Sequence, residues 1–144
     1  MALTTRRVAR ANPHLYDLMF GLSTRATYRP VGDVRLSGRS PAFQAAYAHL
    51  LDACGRLVDS GRIRPARPDV VAAALWSFVH GYITLELAEH FVGFKDPVRQ
   101  VMLPMGVTFS VGLGDPPERA QASHEAVLRR YKAAERRSRS SSAR

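Results

Sequence analysis

The chain has 144 residues, a net charge of +9 and one cysteine. That length suits a single domain, which can bury about 70% of the surface its unfolded chain exposes and needs no metal or disulfide to fold. The lone Cys54 excludes an intramolecular disulfide and a cysteine-based zinc site, and favours a reducing cytoplasm. Basic residues are concentrated at the ends, since residues 1–40 and 118–144 contribute +5 each and residues 41–117 contribute −1.

Two short helices are predicted at the N-terminus. Residues 4–11 predict one or two helical turns, and Asn12 followed by Pro13 marks a second helix, with Asn12 as its N-cap. Gly21 is predicted to end that helix. Residues 22–39 lack a sustained period and carry proline and glycine, so they are predicted to form mostly a loop, with room for one short helix.

The middle of the chain predicts two longer helices. Ser40 and Pro41 mark the start of an ordinary amphipathic helix that ends before Gly61. Residues 70–91 follow as a continuous helical pattern, capped by Asp69 and more apolar than one buried face requires. We therefore expect this helix to contact both its own core and a second partner. Its small side chains would let another helix approach closely: Ser77, Gly81, Thr84 and Ala88.

Length alone makes residues 70–91 a candidate membrane span. A stripe of small polar residues and four ionisable side chains argue against a span. The four are Glu86, Glu89, His80 and His90. The N-terminus has no long apolar run after its basic residues, so a signal peptide is not expected. We therefore predict a cytoplasmic protein that does not insert into a membrane.

The C-terminal third predicts two further helices. Residues 98–113 form an apolar helical pattern, with a kink expected at Pro104 and Gly106. Residues 115–118, Asp-Pro-Pro-Glu, resemble a capping box that opens a polar, basic helix over residues 115–137. Residues 138–144 predict a disordered tail. Because no strand pattern or repeat of useful length is present, the predicted fold class is all-α.

The sequence contains no phosphate-binding glycine loop and no recognised catalytic or metal motif. We therefore expect no enzyme activity, no cofactor and no metal site. An enzyme using Glu86, Glu89 and His80 is the third alternative, because no nucleophile or metal set accompanies these residues. Glu86 is expected either at the rim of a dimer interface or facing a ligand. His80 is expected either as a hydrogen-bonded core residue or as a ligand contact.

Two segments carry a family resemblance: ANPHLYDLMFG at residues 11–21 and ALWSFVHG at residues 74–81. Together they resemble the C-terminal regulatory domain of tetracycline-repressor (TetR) type transcription regulators, in the subgroup with a Trp-x-x-x-His-Gly signature. The resemblance covers roughly residues 8–113. It implies a helical bundle that binds a small, often apolar effector and dimerises through a four-helix bundle made by its last two long helices, here residues 70–91 and 98–113.

The resemblance also implies a domain organisation and two sets of site residues. Residues 1–11 would be the remnant of a linker helix, and residues 12–114 the regulatory domain. The expected effector contacts are aromatic and soft side chains: Tyr16, Met19, Phe20, Phe43, Tyr47, Trp76 and His80. The expected dimer interface uses Tyr82, Leu85, Glu89, Met102, Met105 and Phe109.

The leading functional hypothesis is a small-molecule-sensing and dimerisation domain that lacks its own DNA-binding domain. Only eleven residues precede Asn12, too few for a helix-turn-helix reader, so no direct sequence-specific DNA binding is expected. The expected partners are a small apolar or aromatic effector and a second subunit, either identical or a full-length relative. The alternative is a basic helical module that binds nucleic acid or an anionic surface through its termini. Its candidate residues are Arg6, Arg7, Arg10, Arg129, Arg130, Lys132, Arg136 and Arg137.

Overall fold

The structure is a computed structural model that describes residues 1–20 and 41–141, with only the backbone of a few of them: Leu18, Phe20, Ala42, Phe43, Ser138, Arg139 and Ser141. The described residues form helices and no strand, which confirms the all-α prediction. The elements are α1 (Ala2–Ala11), α2 (Pro13–Phe20), α3 (Pro41–Asp59), α4 (Pro68–Leu87), a π-helical turn (Val98–Met102), α5 (Leu103–Gly112) and α6 (Pro117–Ser141). The predicted loop at residues 22–39 and the predicted helix end at Gly21 lie outside the described residues.

The chain divides into two compact units. The first contains α1 to α4, in residues Met1–Leu57 and Ala66–His90. There α1 contacts both α2 and α4. The predicted start of α2 at Pro13 is confirmed, and the Tyr16 amide donates to the Asn12 carbonyl at 3.0 Å. The unit's core is apolar and consists of Ala9, Tyr16, Leu50, Cys54, Val71, Ala72, Val79, Tyr82 and Ile83.

Both ends of α4 differ from the prediction. The helix begins at Pro68 with Arg67 as N-cap, while the carboxylate of Asp69 accepts hydrogen bonds from the Arg67 side chain instead of capping the helix. It ends at Leu87, four residues before the predicted end, because the chain turns at Glu89 with φ of 62°. A turn of this kind usually carries glycine, so the sequence holds no signal for it.

Two backbone hydrogen bonds define the turn that ends α4. The His90 amide donates to the Leu85 carbonyl at 3.0 Å, and the Glu89 amide donates to the Glu86 carbonyl at 3.1 Å. This pair of bonds is the Schellman motif, and Glu89 occupies its left-handed position. A side chain with a Cβ is strained there, since the left-handed conformation costs roughly 1 kcal/mol for a residue other than glycine.

We predict that Glu89→Gly raises the free energy of unfolding. The expected gain is about 1 kcal/mol, because glycine adopts a positive φ without steric conflict. Urea unfolding followed by circular dichroism measures it. Glu89→Ala is the matched control, since it removes the same charge but keeps the Cβ. An equal gain in both variants would assign the effect to charge and contradict the strain argument.

The second unit contains Val58–Pro65 and Phe91–Arg144. The predicted kinked helix over residues 98–113 is instead a π-helical turn followed by α5. The Leu103 amide reaches back five residues to the Val98 carbonyl. Pro104 explains the change, because a proline has no amide hydrogen to donate to the carbonyl four residues earlier. The irregularity therefore lies just before Pro104, and α5 runs on through the buried Gly106.

The connection from α5 to α6 turns at Gly114, which has φ of 105°. A Cβ at Gly114 would lie 2.7 Å from the Cγ of Arg64 and 3.2 Å from its backbone nitrogen, so both conformation and space require glycine. Asp115 is not the predicted capping-box residue. Its buried carboxylate accepts hydrogen bonds from the side chains of Arg62 and Arg119, and α6 starts at Pro117.

The final helix is longer than predicted. The sequence pattern predicts a disordered tail from residue 138, but α6 continues to Ser141. Arginine is a good helix former, and extending an existing helix avoids the cost of nucleating a new one. Residues 142–144 lie outside the described part of the chain.

Candidate functional site

Four rings from three helices form a row inside the first unit. The imidazole of His80 lies nearly parallel to the ring of Tyr16, with 5.6 Å between centroids and 10° between planes. The Trp76 and His80 centroids are 4.0 Å apart. Tyr47 meets Trp76 edge to face at 5.6 Å and 73°. We call Tyr16, His80, Trp76 and Tyr47 the aromatic row.

The local sequence explains how the row is assembled. Trp76 and His80 are four residues apart on α4, so both project from the same face of that helix. Tyr16 comes from α2 and Tyr47 from α3. Tyr16 is buried, whereas the other three side chains are half-buried, so the row extends from the core toward the surface.

One hydrogen bond holds the inner end of the row. The Tyr16 hydroxyl oxygen lies 2.5 Å from Nδ1 of His80. Burial lowers the pKa of His80 to about 4, and burial raises the pKa of Tyr16 to about 12. Both groups are therefore neutral at pH 7, and the hydroxyl donates to Nδ1 in the tautomer that carries its proton on Nε2. His80 is therefore a hydrogen-bonded residue within the row.

Glu86 is held by an ion pair within the same unit. Nε of Arg6 donates to Oε2 of Glu86 at 2.8 Å, and Nη2 donates to Oε1 at 2.6 Å. The two side chains are only 11% and 10% exposed. The Glu86 carboxylate joins α1 to α4, a role that neither expectation for Glu86, at a dimer rim or facing a ligand, included. Arg6 is likewise unavailable to the basic surface proposed for the N-terminus.

The profile of the family described as "Tetracyclin repressor-like, C-terminal domain" matches residues 1–105. This chain belongs to that family. No curated protein and no solved structure matches it significantly. In this TetR-like chain, the matched segment holds the aromatic row and the Arg6–Glu86 ion pair, whereas most of α5 and all of α6 lie beyond it.

The TetR-like domain brings together four of the seven predicted effector residues, the members of the aromatic row. Met19 is 56% exposed. The side chains of Phe20 and Phe43 lie outside the described residues. Among the described residues, no three His, Cys, Asp or Glu side chains come close enough to share a metal ion.

The outer face of α4 is exposed along its whole length. The residues that face solvent are mostly small: Val70, Ala73, Ala74, Ser77, Gly81 and Leu85 of α4, with Ala88 at its C-cap. By length and composition α4 would pass as a membrane span, a weak criterion that the core helix of a soluble protein also meets, and 28% of its most apolar stretch is buried. We call these seven residues the α4 outer face.

The predicted dimer residues fall into two groups. Tyr82 and Met102 are buried within the chain, at 3% and 5% exposure, so neither offers surface to a second subunit. Leu85 and Met105 are exposed at 45% and 49%. Glu89 is exposed and Phe109 is half-buried. Sequence reasoning also passed over Arg6 as a partner for Glu86, although a carboxylate on an apolar helix face requires a buried cation.

Proposed function

We propose that this chain is the effector-sensing and dimerisation domain of a TetR-type transcription regulator of the cytoplasm. The aromatic row is the observation that carries the proposal. It joins three helices of one unit: a molecule bound against its half-buried end contacts α3 and α4, and His80 links that end to the buried Tyr16 of α2. The Trp-x-x-x-His-Gly subgroup signature would then mark the site itself, since Trp76 and His80 are its central members.

The effector is a flat, mainly apolar molecule. Trp76 and Tyr47 are half-buried, and their edge-to-face arrangement presents ring surface on which a planar ligand can stack. His80 is uncharged at pH 7 because burial lowers its pKa to about 4, so the row carries no formal charge. A site of this kind favours dispersion and stacking over ion pairing.

Trp76 is the only tryptophan, so its fluorescence reports on the site directly. We expect 1-anilinonaphthalene-8-sulfonate to quench Trp76 by energy transfer and to be displaced by planar aromatic compounds. Tyr47→Ala is expected to weaken binding about tenfold, which corresponds to about 1.4 kcal/mol of lost stacking. Phe94→Ala is the matched control, because Phe94 is an exposed aromatic outside the row. Equal affinity of both variants and the parent chain for the dye would contradict the sensor proposal.

The α4 outer face supports the dimerisation half of the proposal. Its small side chains allow a helix of a second subunit to approach closely, and its exposed Val70 and Leu85 gain from being covered. Gly81 lies at the middle of this face, and a Cβ built on it meets no atom within 4 Å. A substitution at Gly81 therefore probes association without disturbing the fold of the protomer.

We predict that Gly81→Arg weakens dimerisation at least tenfold while leaving the helix content unchanged. The long charged side chain would separate the two helices and would have to be desolvated. Sedimentation equilibrium measures the dimer constant. Gln44→Arg places the same charge on exposed surface of α3 and is the control, and Gly81→Ala tests the backbone change alone. A monomeric parent chain, or equal constants for both arginine variants, would contradict this interface.

In the proposed mechanism, effector and dimer are linked because α4 serves both. One side of α4 carries Trp76 and His80, and the outer face carries Gly81. A ligand that binds one arrangement of α4 more tightly shifts the population toward it and so changes the spacing of the two subunits. In regulators of this type that change of spacing is passed to helix-turn-helix readers, which contact the operator.

A further inference from the structure

The C-terminal half of α6 is the most basic segment of the chain. Residues 129–141 hold six basic residues and one acidic residue, a net charge of +5. They lie beyond the part matched by the family profile, which ends at residue 105. The role of the TetR-like domain therefore does not account for this charge.

The structure sorts these basic side chains by position. Arg129, Arg130, Arg136 and Arg137 are exposed, whereas Lys132 is half-buried and donates to Asp96 at 2.8 Å. At 100° per residue, Arg129 and Arg136 form one column along the helix and Arg130 and Arg137 form a second, with two turns between the members of each column. We call these four residues the α6 arginine face.

The opposite side of α6 is the one that packs. Ala120 and Leu128 are buried at 0% and 3% exposure, and α6 contacts α5 through this side. Arg129 has an exposed partner, Glu125, at 3.4 Å. Among the described residues, no carboxylate lies within 4 Å of the guanidinium groups of Arg130, Arg136 or Arg137. Three guanidinium groups therefore face solvent on a helix whose opposite side packs against α5.

The chemistry of this face distinguishes among anionic partners. Between its two columns lie only Ala126, Ala133 and Ser140. The exposed Val127 beside the face is a single branched side chain, too little apolar surface to insert into a bilayer. The face also has no exposed ring on which an unpaired base could stack, because Tyr131 is half-buried. Guanidinium groups match the oxygens of a phosphodiester, and two columns of them suit a regular array of phosphates.

We propose that the α6 arginine face binds the phosphate backbone of duplex DNA without reading its sequence. The proposal keeps the C-terminal part of the alternative drawn from the sequence, in which both termini shared the role. It leaves out Arg6 and Lys132, which are paired with Glu86 and Asp96. The surface holds the domain near DNA regardless of effector. It differs from operator recognition, which needs contacts to base edges.

The test measures, by fluorescence anisotropy, how tightly the full chain binds a fluorescein-labelled 20-base-pair duplex. The NaCl concentration is varied from roughly 25 to 200 mM, because binding through phosphate contacts weakens steeply over this range. Four phosphate contacts per chain predict a slope of roughly −3 to −4 when the logarithm of the association constant is plotted against the logarithm of the salt concentration. The triple variant Arg130→Gln, Arg136→Gln, Arg137→Gln is expected to bind at least tenfold more weakly at low salt. Its slope should be smaller by about three. Glutamine keeps helix propensity, and circular dichroism verifies the fold.

The matched control removes the same charge from elsewhere, with Arg7→Gln, Arg10→Gln and Arg99→Gln at exposed positions. It is expected to retain duplex binding within about twofold, the change that net charge alone produces. Equal losses in the two triple variants would reduce the effect to net charge and overturn the proposal. So would undetectable duplex binding at 25 mM NaCl, or tighter binding to phosphatidylglycerol vesicles than to duplex at equal phosphate.

Discussion

Glu86→Ala is expected to lower the free energy of unfolding by about 3 kcal/mol. The substitution leaves the Arg6 guanidinium, 11% exposed, without the carboxylate that accepts two of its hydrogen bonds. Breaking one side of a buried ion pair is costly because the remaining charge stays out of water. The cost is bounded by how easily α1 can undock, since a detached α1 would return Arg6 to solvent.

Urea unfolding measures the whole loss of unfolding free energy caused by Glu86→Ala. Hydrogen exchange at the amides of α1 shows whether this helix has undocked. Glu125→Ala removes a glutamate from the exposed pair with Arg129 and should cost less than about 0.5 kcal/mol. The double replacement Arg6→Met with Glu86→Leu removes both charges and should recover most of the loss, because well-packed apolar groups substitute for buried ion pairs. A Glu86→Ala effect no larger than that of Glu125→Ala would refute the buried-pair argument.

Local signals predicted where α2 and α3 begin, and failed where α4 ended without one. Pro13 and Pro41 are the first residues of α2 and α3, as their positions after Asn12 and Ser40 indicate. The end of α4 had no such signal, because Glu89 takes the left-handed conformation that glycine normally provides. The π-helical turn before Pro104 depends on which carbonyl each amide reaches, and hydrophobic periodicity does not report that choice.

The candidate site was predictable only in part. Helical spacing alone places Trp76 and His80 on one face of α4. Tyr16 lies 64 residues from His80, and only the family resemblance suggested that they share a site. Arg6 lies 80 residues from Glu86. The burial of Glu86 required a cation, but seven arginines in the first forty residues met that requirement equally well. Pairing over such distances is decided by tertiary packing.

The second large effect concerns Asp115, in the second unit. Its side chain is 2% exposed and accepts from Nη2 of Arg62 at 2.6 Å and from Nε of Arg119 at 2.7 Å. Nη2 of Arg62 also donates to Oγ of Ser123 at 2.7 Å, and Nη2 of Arg119 donates to the Arg62 carbonyl at 3.0 Å. This network ties the segment after α3 to the first turns of α6.

Asp115→Asn is expected to cost about 2 kcal/mol at pH 7, because two charge-assisted hydrogen bonds are lost and two guanidinium groups remain side by side. The figure is lower than for Glu86 because Arg62 and Arg119 are 31% and 50% exposed and water screens their charge. Asp52→Asn is the control, since Asp52 pairs with Arg56 on exposed surface, and it should cost less than about 0.5 kcal/mol.

The pH dependence of the unfolding free energy shows whether Asp115 stabilises the chain through its charge or through its packing. Hydrogen bonds from Arg62 and then Arg119 hold the pKa of Asp115 below its usual value. A lowered pKa means that the unfolded chain binds this proton first, so the stabilisation is complete above the unfolded pKa of about 4 and is lost as pH falls below it. The difference in unfolding free energy between the parent chain and Asp115→Asn should therefore be constant from pH 7 to about 5 and shrink below about 4. A difference that stays constant down to pH 3 would mean that the carboxylate acts through packing, and that its charge does not hold Arg62 and Arg119 in place.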